Sequence, residues 1–262
     1  MKVVLFCGGL GMRLREYSEN VPKPMVPIGY RPILWNVMKY YAHFGHNEFI
    51  LCLGYKADMI KNYFVNYDEY ISNDFVFTKG GKNLELLNTD IEDWKITFVD
   101  TGINANIGER LMAVREFLED EEMFCANYSD GLTDLYLPDM ESYFKAKDKV
   151  GCFLAYQPTQ SFHVVSLEDD GVVKNISHIG ESGLWINAGY FLLRGEIFKY
   201  MEKGEELVDQ PFKRLIKQEK LLSYKFNSFW ASMDTFKDKQ NLDDKYAKGN
   251  APWEVWKNNT KK

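Results

Sequence analysis

The sequence predicts an α/β fold in which a central, mostly parallel mixed sheet is flanked by helices and followed by a portion richer in strands. Apolar runs of strand length alternate with segments of helical periodicity in the first half, and such alternation is typical of parallel sheets. The chain has 262 residues, 45% of them hydrophobic, which suffices for one large core. Since no repeat or flexible linker interrupts it, we expect a single domain over residues 1–262, with halves at 1–148 and 149–262.

The first half is expected to alternate strand and helix. Pro32 favours a first helical turn, and Ile33, Val37 and Tyr41 recur at helical spacing after it. The segment 75–93 breaks the alternation and indicates a hairpin that turns at Gly80-Gly81. The predicted strands are 2–7, 48–53, 96–100 and 123–127, and the predicted helices are 32–44, 58–66, 108–117 and 138–146.

The second half is expected to contain more strands than helices. A turn through Asp169, Asp170 and Gly171 joins two of them. Gly249 is expected to end a helical tail that begins at residue 238. The predicted strands are 150–156, 162–167, 172–176, 186–193 and 222–226, and the other predicted helix is 207–218.

Charge and composition exclude several classes of protein. A net charge of -6, from 32 basic and 38 acidic residues, argues against a nucleic-acid-binding surface. The N-terminal apolar run 3–7 is far shorter than the roughly 20 residues of a membrane span and lacks a signal-peptide pattern. The cysteines are far apart in apolar runs, which predicts buried, reduced thiols rather than a zinc site. We therefore expect a cytoplasmic protein that binds neither nucleic acid nor membrane. The cysteines are Cys7, Cys52, Cys125 and Cys152.

Glycines follow the first strand at Gly8, Gly9 and Gly11, where backbone N–H groups can hold an anion. A P-loop would need Lys-Ser or Lys-Thr where Met12-Arg13 stand, and a dinucleotide fingerprint would need a third glycine at Leu14. An ordinary tight turn is the structural alternative.

A third nucleotide-binding pattern fits the same segment. It continues through Arg13 and Leu14 to Pro22-Lys23-Pro24. Arg13 offers a planar fork that suits phosphate, and Lys23 is a cation on a backbone that two prolines stiffen. This combination predicts a site for the triphosphate of a nucleotide.

Two aspartates are candidate metal ligands. Asp130 follows the strand 123–127 and so lies at a carboxyl strand end, where open α/β sheets bind ligands. Asp234 could supply a second carboxylate, and Mg²⁺ takes one or two carboxylates together with substrate phosphates. Asp130-Gly131 could instead form an ordinary turn, and Asp234 could cap the helix that follows it.

These motifs resemble those of the sugar-phosphate nucleotidyltransferases, and the chain is similar to the glucose-1-phosphate cytidylyltransferases over nearly its whole length. The resemblance implies a Rossmann-like nucleotidyltransferase (GT-A-like) fold, with nucleotide binding in the first half and acceptor binding in the second. It implies that CTP and a sugar phosphate, glucose 1-phosphate by default, give a CDP-sugar and pyrophosphate with Mg²⁺. The matching stretches are 8–14, 22–25, 32–35, 53–56, 99–102, 108–111, 130–131, 186–189, 229–230, 233–235 and 251–253.

The resemblance also implies roles for single residues and a homo-oligomer. Asp130 and Asp234 would bind Mg²⁺, and Arg13 and Lys23 would be the catalytic phosphate-binding residues. The implied nucleotide contacts are Gly8, Gly9, Gly11, Arg13, Thr101 and Arg110, and the implied acceptor contacts are Asn187 and Gly189.

The chain departs from the family pattern in three places. Met12 replaces the usual threonine, Phe162-His163 replaces a Phe-Gly, and the lysine that grips the acceptor phosphate is missing from the stretch 175–180. His178 or His163 could replace that cation, since histidine titrates near neutrality, or both could be polar residues of strand ends. Lys174 is a further candidate for that cation.

Other functions remain open at this stage. The missing lysine makes a hexose 6-phosphate or a polyol phosphate an alternative acceptor. A non-catalytic nucleotide-sensing protein could share the fold. A Rossmann oxidoreductase is disfavoured by Leu14.

Overall fold

The structure, a computed structural model, describes residues 1–9, 21–158 and 162–260, with the side chains of the last segment up to residue 257. Its strands are β1 (Lys2–Phe6), β2 (Pro27–Ile28), β3 (Arg31–Pro32), β4 (Glu48–Leu53), β5 (Phe75–Thr78), β6 (Asn83–Leu86), β7 (Lys95–Asp100), β8 (Met123–Asn127), β9 (Gly131–Thr133), β10 (Gly151–Tyr156), β11 (His163–Leu167), β12 (Val173–His178), β13 (Ile186–Arg194), β14 (Leu221–Phe226) and β15 (Trp230–Ser232). Its α-helices are α1 (Ile33–His43), α2 (Ala57–Val65), α3 (Glu69–Ser72), α4 (Ile107–Ala113), α5 (Leu137–Lys145), α6 (Gln210–Lys217) and α7 (Phe236–Ala247).

A seven-stranded sheet in the order β14-β10-β13-β8-β1-β4-β7 forms the centre of the molecule. Its strands pair in parallel except at β13, which runs antiparallel to both of its neighbours, β8 and β10. The predicted mostly parallel mixed sheet is therefore confirmed.

Helices cover both faces of this sheet, because the side chains of each central strand alternate between two apolar cores. Val3 and Leu5 of β1 pack with α1 and α5 on one face, while Val4 and Phe6 pack with α4 and α6 on the other. Strands that are buried on both faces need continuous apolar sequence, which is why β1, β4 and β8 are readily visible in the sequence. The four cysteines are buried and free, as predicted.

Several sequence-predicted boundaries are corrected. The predicted helix at 108–117 ends at Ala113 and continues as a short 3₁₀ segment, Arg115–Leu118. The predicted helix at 207–218 begins only at Gln210, beside Pro211. The hairpin of β5 and β6 turns at Gly80-Gly81 as expected, since both glycines have positive φ. Among the described residues, no helix has both the length and the apolar character that crossing a bilayer requires.

Candidate active site

A short ribbon that the sequence analysis did not predict brings the two candidate metal ligands together. β9 begins directly after Asp130, and its antiparallel partner β15 ends shortly before Asp234. Ser232 pairs with Gly131, and the amide of Met233 donates to the carbonyl of Asp130 at 2.9 Å. Both aspartates therefore adjoin the same end of one ribbon, although 104 positions separate them in sequence.

A strained turn at Ser129 connects the end of β8 to Asp130. Ser129 has a φ of 64°, a left-handed conformation that is unfavourable for a residue with a side chain. Two hydrogen bonds hold it: its amide donates to Oδ1 of Asn127 at 2.7 Å, and its hydroxyl donates to the carbonyl of Phe6 at 2.8 Å. Because Phe6 is the last residue of β1, this turn is tied to the sheet beside the glycine segment.

Lys23 lies between the two aspartates. Its Nζ donates to Oδ2 of Asp130 at 2.5 Å and to Oδ1 of Asp234 at 2.8 Å. Burial opposes the charged ammonium, but the two carboxylates outweigh it, so the pKa of Lys23 is raised above its ordinary value. The proline on each side fixes the backbone, since Lys23 begins a 3₁₀ turn at Pro22. Lys23 is therefore a positioned, permanently charged cation.

This cluster fits a divalent cation. Both aspartate oxygens bond to Nζ of Lys23, at 2.5 and 2.8 Å, so they are at most 5.3 Å apart. They thus converge on one cationic point, and Mg²⁺ is commonly held by such a pair of carboxylates plus substrate phosphates. Asp234 does not cap the following helix; Thr235 does, accepting from the amide of Asp238.

A cleft of about 480 Å³ opens over this cluster. Gly9, Tyr128 and the beginning of α4 line it. The described residues that line it are Phe6, Cys7, Gly9, Lys23, Pro24, Ala105, Asn106, Ile107, Arg110, Tyr128, Ser129, Asp130, Glu206 and Asp234. Arg13 and Gly11, the other predicted members of the phosphate site, lie outside the described residues.

Arg110 joins three loops beneath the cleft. Its guanidinium donates to the carbonyls of Leu53 (3.1 Å), Gly8 (3.1 Å) and Ile103 (3.3 Å). It also donates to Oγ1 of Thr101 at 2.7 Å. The residue is only 2% exposed, and burial lowers its pKa. Arg110 and Thr101 are thus in place beside the predicted nucleotide site, with most of their polar atoms bonded to the protein.

The same arginine explains why position 8 needs glycine. A Cβ on Gly8 would lie 2.0 Å from a nitrogen of Arg110, so any side chain there would displace the guanidinium from its four hydrogen bonds. Neither the predicted anion site nor an ordinary tight turn anticipates this packing reason for Gly8.

Asn187 and Gly189, the predicted acceptor contacts, reach the cleft through Tyr128. Gly189 has a φ of +76°, and a Cβ there would lie 2.6 Å from Cδ2 of Tyr128. The amide of Tyr128 donates to the carbonyl of Gly189 at 3.2 Å, and Nδ2 of Asn187 donates to the Tyr128 hydroxyl at 3.4 Å. Tyr128 is a site residue that sequence reasoning missed, although it directly precedes the Ser129-Asp130 turn.

The two histidines lie on a separate ribbon of β11 and β12. His163 pairs with His178 across it, with ring centroids 5.8 Å apart. Nδ1 of His178 accepts from the amide of Gly180 at 3.2 Å. Lys174, the further candidate, forms an ion pair with Glu168 at 3.0 Å. Neither histidine is among the described residues that line the 480 Å³ cleft.

Comparison with known proteins connects this geometry to a family. The nucleotidyl transferase family model matches residues 2–238. A probable glucose-1-phosphate cytidylyltransferase of Bacillus subtilis (strain 168) is 35% identical over 258 residues, covering 98% of this chain and 100% of that protein. The glucose-1-phosphate cytidylyltransferase of Salmonella typhi is 36% identical over 257 residues with the same coverage.

Solved structures show the same fold. An apo UDP-glucose pyrophosphorylase matches with a TM-score of 0.70 at 16% identity, over 95% of this chain and 99% of that one. A UTP-bound UGPase from Acinetobacter baumannii also matches with a TM-score of 0.70, at 14% identity over 98% and 97% of the two chains. The chain therefore belongs to the nucleotidyl transferase family, and it is related over nearly its full length to glucose-1-phosphate cytidylyltransferases.

Proposed function

We propose that this protein transfers the cytidylyl group of CTP to a sugar phosphate, with glucose 1-phosphate as the default acceptor, giving a CDP-sugar and pyrophosphate. The observation that carries the proposal is the cluster of Lys23, Asp130 and Asp234, which lines a cleft together with Gly9. The sequence relatives supply the base and the acceptor, since those proteins are named for CTP chemistry on glucose 1-phosphate. A protein that only senses nucleotides would not need the paired carboxylates.

The chemistry needs positioning and charge neutralisation rather than a general base. An oxygen of the acceptor phosphate attacks the α-phosphorus, and the bond from that phosphorus to the β-phosphate oxygen breaks, so that pyrophosphate leaves. The attacking phosphate monoester is mostly ionised at neutral pH because its second pKa is about 6. Lys23 stays charged and can neutralise the negative charge that the two phosphate groups bring together.

Asp130 and Asp234 would hold Mg²⁺. When bound, the metal would offset the charge of the donor phosphates. The chain itself orients the carboxylates through the Ser129 turn and through the hydroxyl of Ser232, which donates to Oδ2 of Asp234 at 3.0 Å. Gly8, Gly9, Gly11 and Arg13 would complete the phosphate site.

Acceptor binding belongs to the second half of the chain in this proposal, with Asn187 and Gly189 near the sugar. His178 would take the place of the missing lysine. Because Nδ1 accepts from the amide of Gly180, Nε2 is the ring nitrogen that can donate to a phosphate oxygen. His163, opposite it, would support the ring.

We further propose that the protein acts in the cytoplasm as a homo-oligomer. Four buried, free cysteines are consistent with a reducing compartment. Light scattering coupled to size-exclusion chromatography measures the oligomeric state directly.

A substrate screen tests the proposed function. Four nucleoside triphosphates are crossed with glucose 1-phosphate, a hexose 6-phosphate and a polyol phosphate in the presence of Mg²⁺, and pyrophosphate release is measured. We expect release with CTP and glucose 1-phosphate. Release only with another acceptor would correct the acceptor, and binding of CTP without release in any combination would support a sensing role instead.

A further inference from the structure

We propose that Glu206 makes the nucleotide site prefer cytosine over uracil by accepting a hydrogen bond from the exocyclic amine of the base. This inference rests on the proposed function and deepens it. Neither the sequence motifs nor the family resemblance singled out Glu206. Its place in the cleft is the reason to consider it.

Glu206 lies in the cleft beside the beginning of α4. It lines the cleft, and its Oε2 accepts from the amide of Ile107, the first residue of α4, at 3.3 Å. Glu206 and Asp234 adjoin helices on opposite faces of the central sheet. α4, which Glu206 contacts, packs on one face, and Leu242 of α7, the helix that follows Asp234, packs on the other. Tyr128 also lines the cleft and is near both carboxylates, since burial first, and then Glu206 and Asp130, raise its pKa.

The charges determine which part of the nucleotide faces Glu206. Lys23 attracts the phosphates, as would the Mg²⁺ that Asp130 and Asp234 would hold. Glu206 is the third carboxylate among the described residues that line the cleft, and no basic side chain of those residues forms an ion pair with it. A carboxylate repels phosphate, so we assign the uncharged nucleoside to Glu206 and the phosphates to Lys23.

The bases differ in what a carboxylate can bind. Cytosine carries an amine at C4, which donates, whereas uracil carries a carbonyl oxygen there, which accepts. An ionised carboxylate can only accept a hydrogen bond, so Glu206 can bind the amine of cytosine. It cannot form a hydrogen bond with the C4 oxygen of uracil, because both groups are acceptors. The structure therefore supplies a physical reason for choosing CTP that the sequence did not.

Glu206 is held in place for this role. Its Oε1 accepts from the amide of Leu207 at 3.0 Å, and its Oε2 from that of Ile107. Each oxygen keeps a second lone pair for a ligand. The capping box of α4 satisfies the amides of Asn106 and Glu109, and Glu206 accepts from the amide of Ile107, which fixes its carboxylate at the start of the helix.

The test is Glu206→Gln, compared with the wild type for CTP, UTP and dCTP by kcat/KM. A glutamine amide can rotate and donate to uracil. We expect the preference for CTP over UTP to fall by about 10-fold or more, with the ratio of CTP to dCTP unchanged. Glu202→Gln is the control, because Glu202 is on the same loop and pairs with Arg214, with its side chain 75% exposed. Its ratios should equal those of the wild type.

Three results would overturn the inference. The first is a wild type that does not prefer CTP over UTP. The second is an unchanged CTP:UTP ratio in a folded Glu206→Gln protein. The third is a change confined to the CTP:dCTP ratio, which would place the ribose at Glu206. Glu206→Ala is a second variant, and thermal melting shows that each is folded. If the wild type binds nucleotides but releases no pyrophosphate, the proposed function fails, and the same ratios measured as Kd by calorimetry still decide the role of Glu206.

Discussion

Replacing Arg110 by methionine tests whether this buried arginine holds the loops of the nucleotide site together. Methionine keeps much of the side-chain volume but removes four hydrogen bonds, and a bond from a charged donor contributes about 1.5–3 kcal/mol net. The Leu53 and Gly8 carbonyls would keep other donors, the amides of Thr101 (3.0 Å) and Tyr55 (3.3 Å). The Ile103 carbonyl loses its Arg110 donor. We therefore expect the free energy of unfolding to fall by about 3 kcal/mol, which is less than the sum for four such hydrogen bonds.

Urea unfolding followed by circular dichroism measures this loss. Arg115→Met is the matched control, because Arg115 is exposed and lies over the Phe198 ring at 5.4 Å; its loss should cost less than about 1 kcal/mol. CTP affinity should fall in Arg110→Met, since the loops that it joins line the cleft. An Arg110→Met protein as stable as the wild type would refute this reasoning, and a lower CTP affinity in such a protein would indicate a direct contact of Arg110 with the nucleotide.

Three further predictions concern the site. Asp130→Asn and Asp234→Asn should each lower kcat by more than about 10²-fold, because each removes one of the paired carboxylates; near-wild-type rates would contradict the metal assignment. Lys23→Ala should abolish most turnover in a protein that circular dichroism shows to be folded; normal turnover with a lower melting temperature would make Lys23 structural. Gly189→Ala should lower the free energy of unfolding by about 2–4 kcal/mol, because it combines a φ of +76° with a 2.6 Å approach to Tyr128, and a loss below 1 kcal/mol would show that Tyr128 moves aside freely.

The central sheet could be predicted from the sequence because its strands are buried on both faces. β4 and β8 have the predicted bounds, and β1 differs by one residue. The order of the strands and the antiparallel direction of β13 could not be predicted, since periodicity reports burial and not neighbours. The ribbon of β9 and β15 was missed because each strand has three residues, too short for a pattern to be visible.

The candidate site was predictable where a motif combines an unusual backbone with a charged group. Lys23 between two prolines and Asp130 after a buried strand are of this kind, and the structure brings both to Asp234. Glu206 carries no local signal, because it follows another glutamate in a polar loop. Arg110 was recognised, but its bonds to three backbone carbonyls depend on loops that are distant in sequence.

Transfer of label from CTP tests the central claim most directly. The protein is incubated with Mg²⁺, glucose 1-phosphate and CTP labelled in the α-phosphate, and the products are separated by anion exchange. The account predicts that the label appears in a CDP-sugar, while an equal amount of unlabelled pyrophosphate is released. Label that remains in CTP, or that appears as CMP without any sugar nucleotide, would contradict it.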